Sequence, residues 1–343
     1  MNLPRLTPLL LLTLFLICSQ GARSDNPLTT IMFYNVENLF DTVDDPLTDD
    51  NEFLPSGARR WTLNRFRQKL TNIARVINNT GYWEPPAVIG FCEVENRYVL
   101  EELVKHPALR IWNYQIIHKD SPDARGIDVA AIYRPDLFTP IAYRYFPPAD
   151  TAAQVPTTRE MLYLAGTLAG EDTLHLFFNH WPSRYGGLIE TRLYRERAAH
   201  RLRWEVDRLK EKLPMPRIVI MGDFNDQPDD LSMTGVLEAD LEPGSDPLRL
   251  YNLSHAWTKA GKGTLKYQGF WNTFDQVIVS GAMLNQLLPI YSRPADATIA
   301  DARFLFLPDE RYTGLKLNRT YEGYRYTGGY SDHLPVYLLI RAR

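Results

Sequence analysis

Short apolar runs in this sequence repeatedly end in residues able to handle a phosphate or a metal. Ile31-Met32-Phe33-Tyr34 leads into Asn35-Val36-Glu37-Asn38, the run from Ala87 to Cys92 into Glu93, and the run from Leu174 to Phe178 into Asn179-His180. Arg217 to Met221 leads into Gly222-Asp223-Phe224-Asn225, Thr273-Phe274 into Asp275, and Tyr330-Ser331-Asp332-His333 stands just ahead of a last apolar run. Singly such endings mean little, because Asn, Asp and Gly terminate strands for turn-forming reasons. Together they supply hard oxygen donors, Asn35, Glu37, Glu93, Asp223 and Asp332, beside two histidines. Such sets suit Mg2+, with Mn2+ and Ca2+ as the other hard cations they accept, bound through one or two carboxylates plus a phosphate oxygen. Histidine adds a proton or a positive charge, and the combination is what phosphate-ester hydrolysis needs.

Other chemistries fit less well. Ser331, Asp332 and His333 are neighbours in extended chain, so their side chains point to alternate faces and cannot line up as nucleophile, base and orienter. The same alternation sets Cys92 opposite Glu93 and makes it a buried thiol rather than a nucleophile. A structural zinc site lacks its cysteines, and the seven histidines show no close pairing. The stretch Asp41 to Glu52 holds six acidic residues and reads as a solvated loop, as most such charge runs do.

The elements that must position these residues follow from periodicity. Ile31 to Val36, Ala87 to Val94, Tyr114 to His118, Asp128 to Tyr133, Met161 to Leu168, Leu174 to His180, Arg217 to Met221, Thr273 to Ser280 and Pro335 to Ile340 are strand-length runs bounded by turn formers. Leu63 to Ile77 places Phe66, Leu70, Ile73 and Ile77 on one helical face, and Leu193 to Leu213 does so with Leu202, Val206, Leu209 and Leu213. Strands dominate without a regular strand-helix-strand repeat, which predicts antiparallel or mixed sheets with helices packed outside.

The chain of 343 residues has 45% hydrophobic and 23% charged residues and a net charge of −3. That composition excludes coiled-coil, collagen-like and wholly disordered readings. Arg5, the apolar run Leu9 to Ile17 and the small residues Ser19, Gly21 and Ala22 read as an export signal over residues 1–22, leaving 23–343 as a single domain. Bulky Leu16 and Ile17 argue against lipid anchoring through Cys18. Loss of Arg5 with the signal takes the net charge to −4, so no global basic field draws the chain to nucleic acid. The expected location is the periplasm or the medium, with no membrane insertion after cleavage.

In order and in kind, these motifs resemble the endonuclease/exonuclease/phosphatase superfamily with the DNase I-like fold. Asn35-Val36-Glu37-Asn38 resembles its first strand motif, Glu93 its metal-binding glutamate and Asn179-His180 its central Asn/His position. Gly222-Asp223-Phe224-Asn225 resembles its Gly-Asp-x-Asn signature, Asp275 its penultimate aspartate, and Ser331-Asp332-His333-Leu334-Pro335-Val336 its terminal motif. The resemblance implies a four-layer α/β/β/α sandwich with two mixed, mainly antiparallel sheets. It also implies Glu93 as main metal ligand with Asn35, Glu37 and Asp332 around the metal. Asp223 and Asn225 would activate water, His333 backed by Asp275 would bind a phosphoryl oxygen, and His180 with Asn179 would contact the same group. Arg125 and Arg184, in turns beside these strands, are the expected phosphate clamps.

The substrate must be argued from loops. His180-Trp181-Pro182-Ser183-Arg184 resembles exported bacterial nuclease-like members, Asp226-Gln227-Pro228 departs from the continuation of inositol-phosphate phosphatases, and no apolar insertion resembles the hairpin of secreted sphingomyelinases. Tyrosines and arginines between Tyr312 and Tyr330 can stack bases and contact phosphates, with core and rim packing the commoner use of such tyrosines. A nuclease or other phosphodiesterase acting on nucleic acid leads, with a phosphomonoesterase or phospholipid headgroup hydrolase second and a catalytically silent binding protein as the reading from another class.

Overall fold

The computed structural model describes residues 27–81, 84–149, 158–168, 170 and 172–343. The segment read as an export signal lies outside the described residues. Ten strands build the two main sheets: β1 (Pro27–Leu39), β2 (Val88–Val94), β3 (Gln115–Ile117), β4 (Asp128–Tyr133), β5 (Phe138–Phe146), β6 (Met161–Leu168), β7 (Asp172–His180), β8 (Arg217–Asp223), β9 (Asp275–Ser280) and β10 (Val336–Ala342). One sheet runs β10-β1-β2-β4-β3, with short strands Ile290–Tyr291 and Ala297–Ile299 along β10. The other runs β5-β6-β7-β8-β9 and continues through Leu250–Asn252 to Ala239–Asp240. Both are mixed, because β1 and β2 pair in parallel, as do β7 and β8, while the flanking pairs are antiparallel.

That pairing places the site. Parallel neighbours end at the same edge, and an antiparallel partner begins there. The ends of β1, β2, β7 and β8 therefore meet the starts of β9 and β10. In register, Asn35 lies beside Cys92, and Asp223 lies between His180 and Asp275.

The sheets pack face to face through Phe33, Phe91, Phe178, Val219, Met221 and Val277, all fully buried. Contact is close enough that a Cβ on Gly90 would stand 2.1 Å from the Phe178 ring, so only glycine fits. Helix α1 (Leu63–Asn78) covers the first sheet with Phe66, Leu70, Ile73 and Ile77 buried, the face its periodicity predicts, and α2 (Arg97–Lys105) packs beside it. Helix α3 (Leu188–Lys212) covers the second, where Ala198, Ala199, Leu202 and Val206 meet Phe177, Ile218 and Ile220. The result is the expected α/β/β/α layering.

Two elements escape the periodicity. Strand β5 carries Pro140 and is mostly exposed, as befits an edge strand with a bulge at that proline. Helix α2 has only nine residues, and its clearest signal is Asn96, whose side chain accepts the Val99 N–H at 3.1 Å as an N-cap. Helix α3 begins five residues before Leu193 and stops short of Leu213, which is half-exposed.

The acidic loop is largely exposed as expected, except that Asp50 is buried. Nearby Glu95 is buried and accepts the Asp41 N–H. Burial, with Asp41, Asp50 and Asp45 adding to it, pushes its carboxyl up to about 8. Its folded value therefore exceeds the unfolded one, so its stabilising protonation is complete below about pH 4.5 and is lost as pH rises towards 8. Glu95→Gln removes that loss: melts of both proteins in EDTA from pH 5 to pH 8 are expected to show the variant gaining on the wild type as pH rises. Parallel curves would disprove the assignment.

Candidate active site

The local chain is shaped to expose its donors. At the end of β1 the ladder shifts between Asn35 and Leu39, with Glu37 at φ +52° and Asn38 at φ +59°; β2 shifts at Glu93, φ +61°. These bulges turn the side chains toward the sheet rim, and the Asn38 N–H holds Glu93 Oε2 at 3.0 Å. After β8, Asn225 adopts φ +52° and its N–H holds Asp223 Oδ1 at 3.0 Å. Gly222 is required because a Cβ there would lie 2.5 Å from the Asn179 carbonyl oxygen.

Asp223 is the hub. Its Oδ2 accepts from Asn35 Nδ2 at 3.1 Å and faces His180 Nε2 at 3.7 Å and His333 Nε2 at 3.8 Å. Glu93 Oε1 stands 3.4 Å from the same Asn35 amide and 3.8 Å from His180. Burial raises the Asp223 carboxyl to about 7, with His333 opposing and Asp275 adding to the shift.

The two histidines carry opposite charge states. Burial disfavours a charge on His333, but Asp275 at 2.7 Å and Asp223 outweigh it and hold the imidazolium well above the usual range. With Nδ1 committed to Asp275, its Nε2–H faces Asp223. His180 is held neutral by burial, reinforced by Arg159 and Arg125. Arg159 donates to His180 Nε2 at 3.2 Å, and its other amino group reaches Asp123 at 3.2 Å.

Not every expected residue keeps the role its type suggested. Asn35 turns its amino group to the carboxylates while its oxygen accepts the Glu37 N–H at 3.0 Å, so it ties Glu93 to Asp223 instead of offering an oxygen. Glu37 has both oxygens engaged, by Arg319 at 2.9 Å and the Thr320 N–H at 2.7 Å. Arg319 also holds Asp332 at 2.8 Å and, with His333, keeps that carboxyl low against its burial. Asn179 is a buried brace, donating to the Met221 carbonyl and accepting from the Trp181 indole. Arg184 reaches the Asn225 carbonyl, Asp226 and Asp230, so it ties down the motif loop and is not a free phosphate clamp. Arg125 remains half-exposed at its turn. Cys92 is fully buried, and burial pushes its thiol well up.

Of the tyrosines in the C-terminal segment, Tyr321 and Tyr330 are buried and Tyr326 packs against Tyr321 and Arg65. They brace the chain toward His333 together with buried Lys69 of α1, which bonds Thr320 Oγ1 and the Tyr330 carbonyl. Arg159 is a cation that sequence reasoning missed, and Arg319, read there only as one of the arginines of the C-terminal segment, takes an unforeseen place between Glu37 and Asp332. Neither stands in one of the strand-end motifs, and each is held by a carboxylate of another segment, Arg159 by Asp123 and Arg319 by Glu37.

The donor set tests well for a hard divalent cation. Carboxylates dominate it at Glu93, which the Asn38 N–H holds and the Asn35 amide joins to Asp223. The neighbouring Asp223, Asp275 and His333 lie within 4.8 Å of one another, but with His333 protonated they form an ion-paired group and not a ligand set. Among the described residues no helix is long and apolar enough to cross a membrane.

A model of the Endonuclease/Exonuclease/phosphatase family matches residues 30–342. No curated protein sequence matches. Among solved structures, an endonuclease/exonuclease/phosphatase family protein of Bacteroides thetaiotaomicron is similar at 15% identity, covering 92% of this chain and 98% of its own, with TM-score 0.56. A mannosyl-6-phosphatase of the same organism is 14% identical over 91% of this chain and 99% of its own, at TM-score 0.55. D. rerio TDP2 complexed with a single-strand DNA product is 14% identical over 91% and 98%, at TM-score 0.54. At these identities the likeness is one of fold.

Proposed function

Because the chain belongs to the endonuclease/exonuclease/phosphatase family, whose fold supports phosphoester hydrolysis, we propose that it is a metal-dependent phosphodiesterase acting on nucleic acid. The observation that carries the hydrolytic part is the geometry around Asp223: Asn35 and the Asn225 N–H fix its carboxylate, Oδ2 faces Nε2 of His180 and of His333 at 3.7 and 3.8 Å, and Asp275 clamps His333 from behind at 2.7 Å. Asp223, aligned by the Asn225 N–H and Asn35, orients water and takes its proton. His333 donates Nε2–H to a phosphoryl oxygen as negative charge builds there, and Asp275 keeps it charged. Arg159 brings positive charge to the His180 side of the centre. Mg2+ or Mn2+ is the proposed cation, held by Glu93 and neighbouring carboxylates, and would neutralise phosphate charge. Exposed aromatics at Tyr185, in the turn after β7, and at Tyr267 and Phe270, in the hairpin Leu265–Asn272 that bridges His333, support a nucleic-acid substrate. Export rests on residues 1–22, and cell fractionation tests it.

The deciding experiment incubates the purified chain with Mg2+, Mn2+, Ca2+ or EDTA and plasmid DNA, RNA, bis-ester and mono-ester chromogens and sphingomyelin. Cleavage of nucleic acid and bis-ester that EDTA abolishes is expected. Turnover of mono-esters alone would make it a phosphatase, cleavage of sphingomyelin alone a headgroup hydrolase, and no metal-stimulated turnover a binding protein.

A further inference from the structure

Arg319 stands where two carboxylates of the rim come together. Its Nη2 lies 2.9 Å from Glu37 Oε1 and 2.8 Å from Asp332 Oδ2, and its Nε donates to the same Glu37 oxygen at 3.0 Å. Two carboxylate oxygens from opposite ends of the chain thus converge on one nitrogen atom. Such convergence is what a hard cation asks of its ligands, and here a guanidinium meets it. The residue is fixed in place. Its carbonyl accepts from Thr327 Oγ1 at 2.6 Å and from the Gly329 N–H at 3.2 Å, and a Cβ on Gly329 would stand 2.3 Å from that carbonyl oxygen, so only glycine allows the approach. The next residue, Thr320, gives its N–H to the second Glu37 oxygen at 2.7 Å, and its hydroxyl is held by Lys69 Nζ at 2.5 Å.

Charge divides the carboxylates of the rim into two groups. Glu37 is buried and Asp332 nearly so, and carboxylates out of water need compensation. Arg319 and buried Lys69 bring two positive charges to that side. Glu93 is different. It takes the Asn38 N–H and the Asn35 amide, and among the described residues no lysine or arginine is ion-paired with it; its one partner within 4.0 Å is neutral His180, at 3.8 Å.

We propose that Arg319 takes the place of a second metal ion, so that the centre holds one divalent cation, at Glu93, and a built-in guanidinium at Glu37 and Asp332. This rests on the metal-dependent reading and sets its stoichiometry. The Arg319 side chain is 42% exposed, and its Nη1 has no hydrogen bond among the described residues, which leaves one N–H edge for a phosphate oxygen of the substrate. A guanidinium suits the post because it is planar and charged at every working pH, and its fork spans two carboxylates at once.

The test counts Mn2+ bound by the purified, substrate-free chain, by isothermal titration calorimetry and by the EPR signal of free Mn2+. The wild type is expected to bind one ion per chain and Glu93→Gln to lose it. Arg319→Gln, which removes the charge, is expected to bind two, and to gain more in melting temperature than the wild type when Mn2+ replaces EDTA. Arg319→Lys keeps the charge and is expected to stay at one. Two ions on the wild type overturn the proposal, and that count needs no variant. A single ion on Arg319→Gln with only the wild-type gain in melting temperature overturns it as well. Binding by Arg319→Gln with none by the wild type would sustain the guanidinium in its place while refuting the metal-dependent reading, and binding by neither would refute both.

Discussion

Alanine in place of His333 is expected to lower kcat for metal-stimulated phosphodiester cleavage by about 10² to 10³, the usual loss on removing one preorganised stabiliser of transition-state charge. Its Nε2–H is the imidazolium donor facing Asp223, and Asp275 fixes its other nitrogen at 2.7 Å. His180, held neutral by burial and by Arg159, carries no positive charge and cannot take over. Removing the imidazole leaves Asp275 buried without its partner, so His333→Gln, which keeps a donor for Asp275, separates chemistry from folding. Both variants should show the loss in kcat at saturating metal and substrate, with the glutamine variant melting closer to the wild type. Rates near wild type in a folded His333→Gln protein would remove His333 from the mechanism.

The second large effect concerns stability. Arg195 is fully buried in α3, its Nε 2.6 Å from Asp226 Oδ1, with further bonds to Thr191 Oγ1 at 2.8 Å and the Leu188 carbonyl at 3.3 Å. Asp226 follows Asn225 directly and also holds Ser232 and Arg184. Truncation to Arg195→Ala strands most of a buried carboxylate's compensation and opens a cavity. The expected cost is about 3–5 kcal/mol by urea denaturation, the range for breaking one side of a buried ion pair. Lysine should not restore it, because a point charge cannot span Asp226, Thr191 and Leu188 as the guanidinium fork does. A loss below about 1 kcal/mol would show that Arg184 and Ser232 suffice to hold Asp226.

Much of this site was legible because the chemistry sits on strand ends. Glu93, Asp223, Asp275 and His333 each follow or precede an apolar run, and period-2 alternation forecasts a rim-facing residue beside a core-facing one, as with Glu93 and Cys92. What alternation misjudges is the bulges. At Glu37, Asn38 and Glu93 the chain leaves the regular pleat, and that re-aiming turns Glu37 toward Arg319 and gives Glu93 a hydrogen bond from Asn38. Clusters of like residue type leave two uses open: of the tyrosines near the C-terminus, Tyr321, Tyr326 and Tyr330 are spent on packing, the commoner of the two.

Local pattern by itself determined most of the strands, though not the exposed edge strand β5, and also which faces of α1 and α3 are apolar and which residue types cap the strands, since those follow from side-chain periodicity and turn chemistry within a few residues. Only the tertiary structure decided charge and partner. Whether a histidine is imidazolium or neutral depends on Asp275, 58 residues before His333, and on Arg159, 21 residues before His180. Whether a carboxylate is open or engaged depends likewise on Arg319, 282 residues after Glu37. Such electrostatic settings require groups distant in sequence to meet in a dry site, and sheet pairing brings them there.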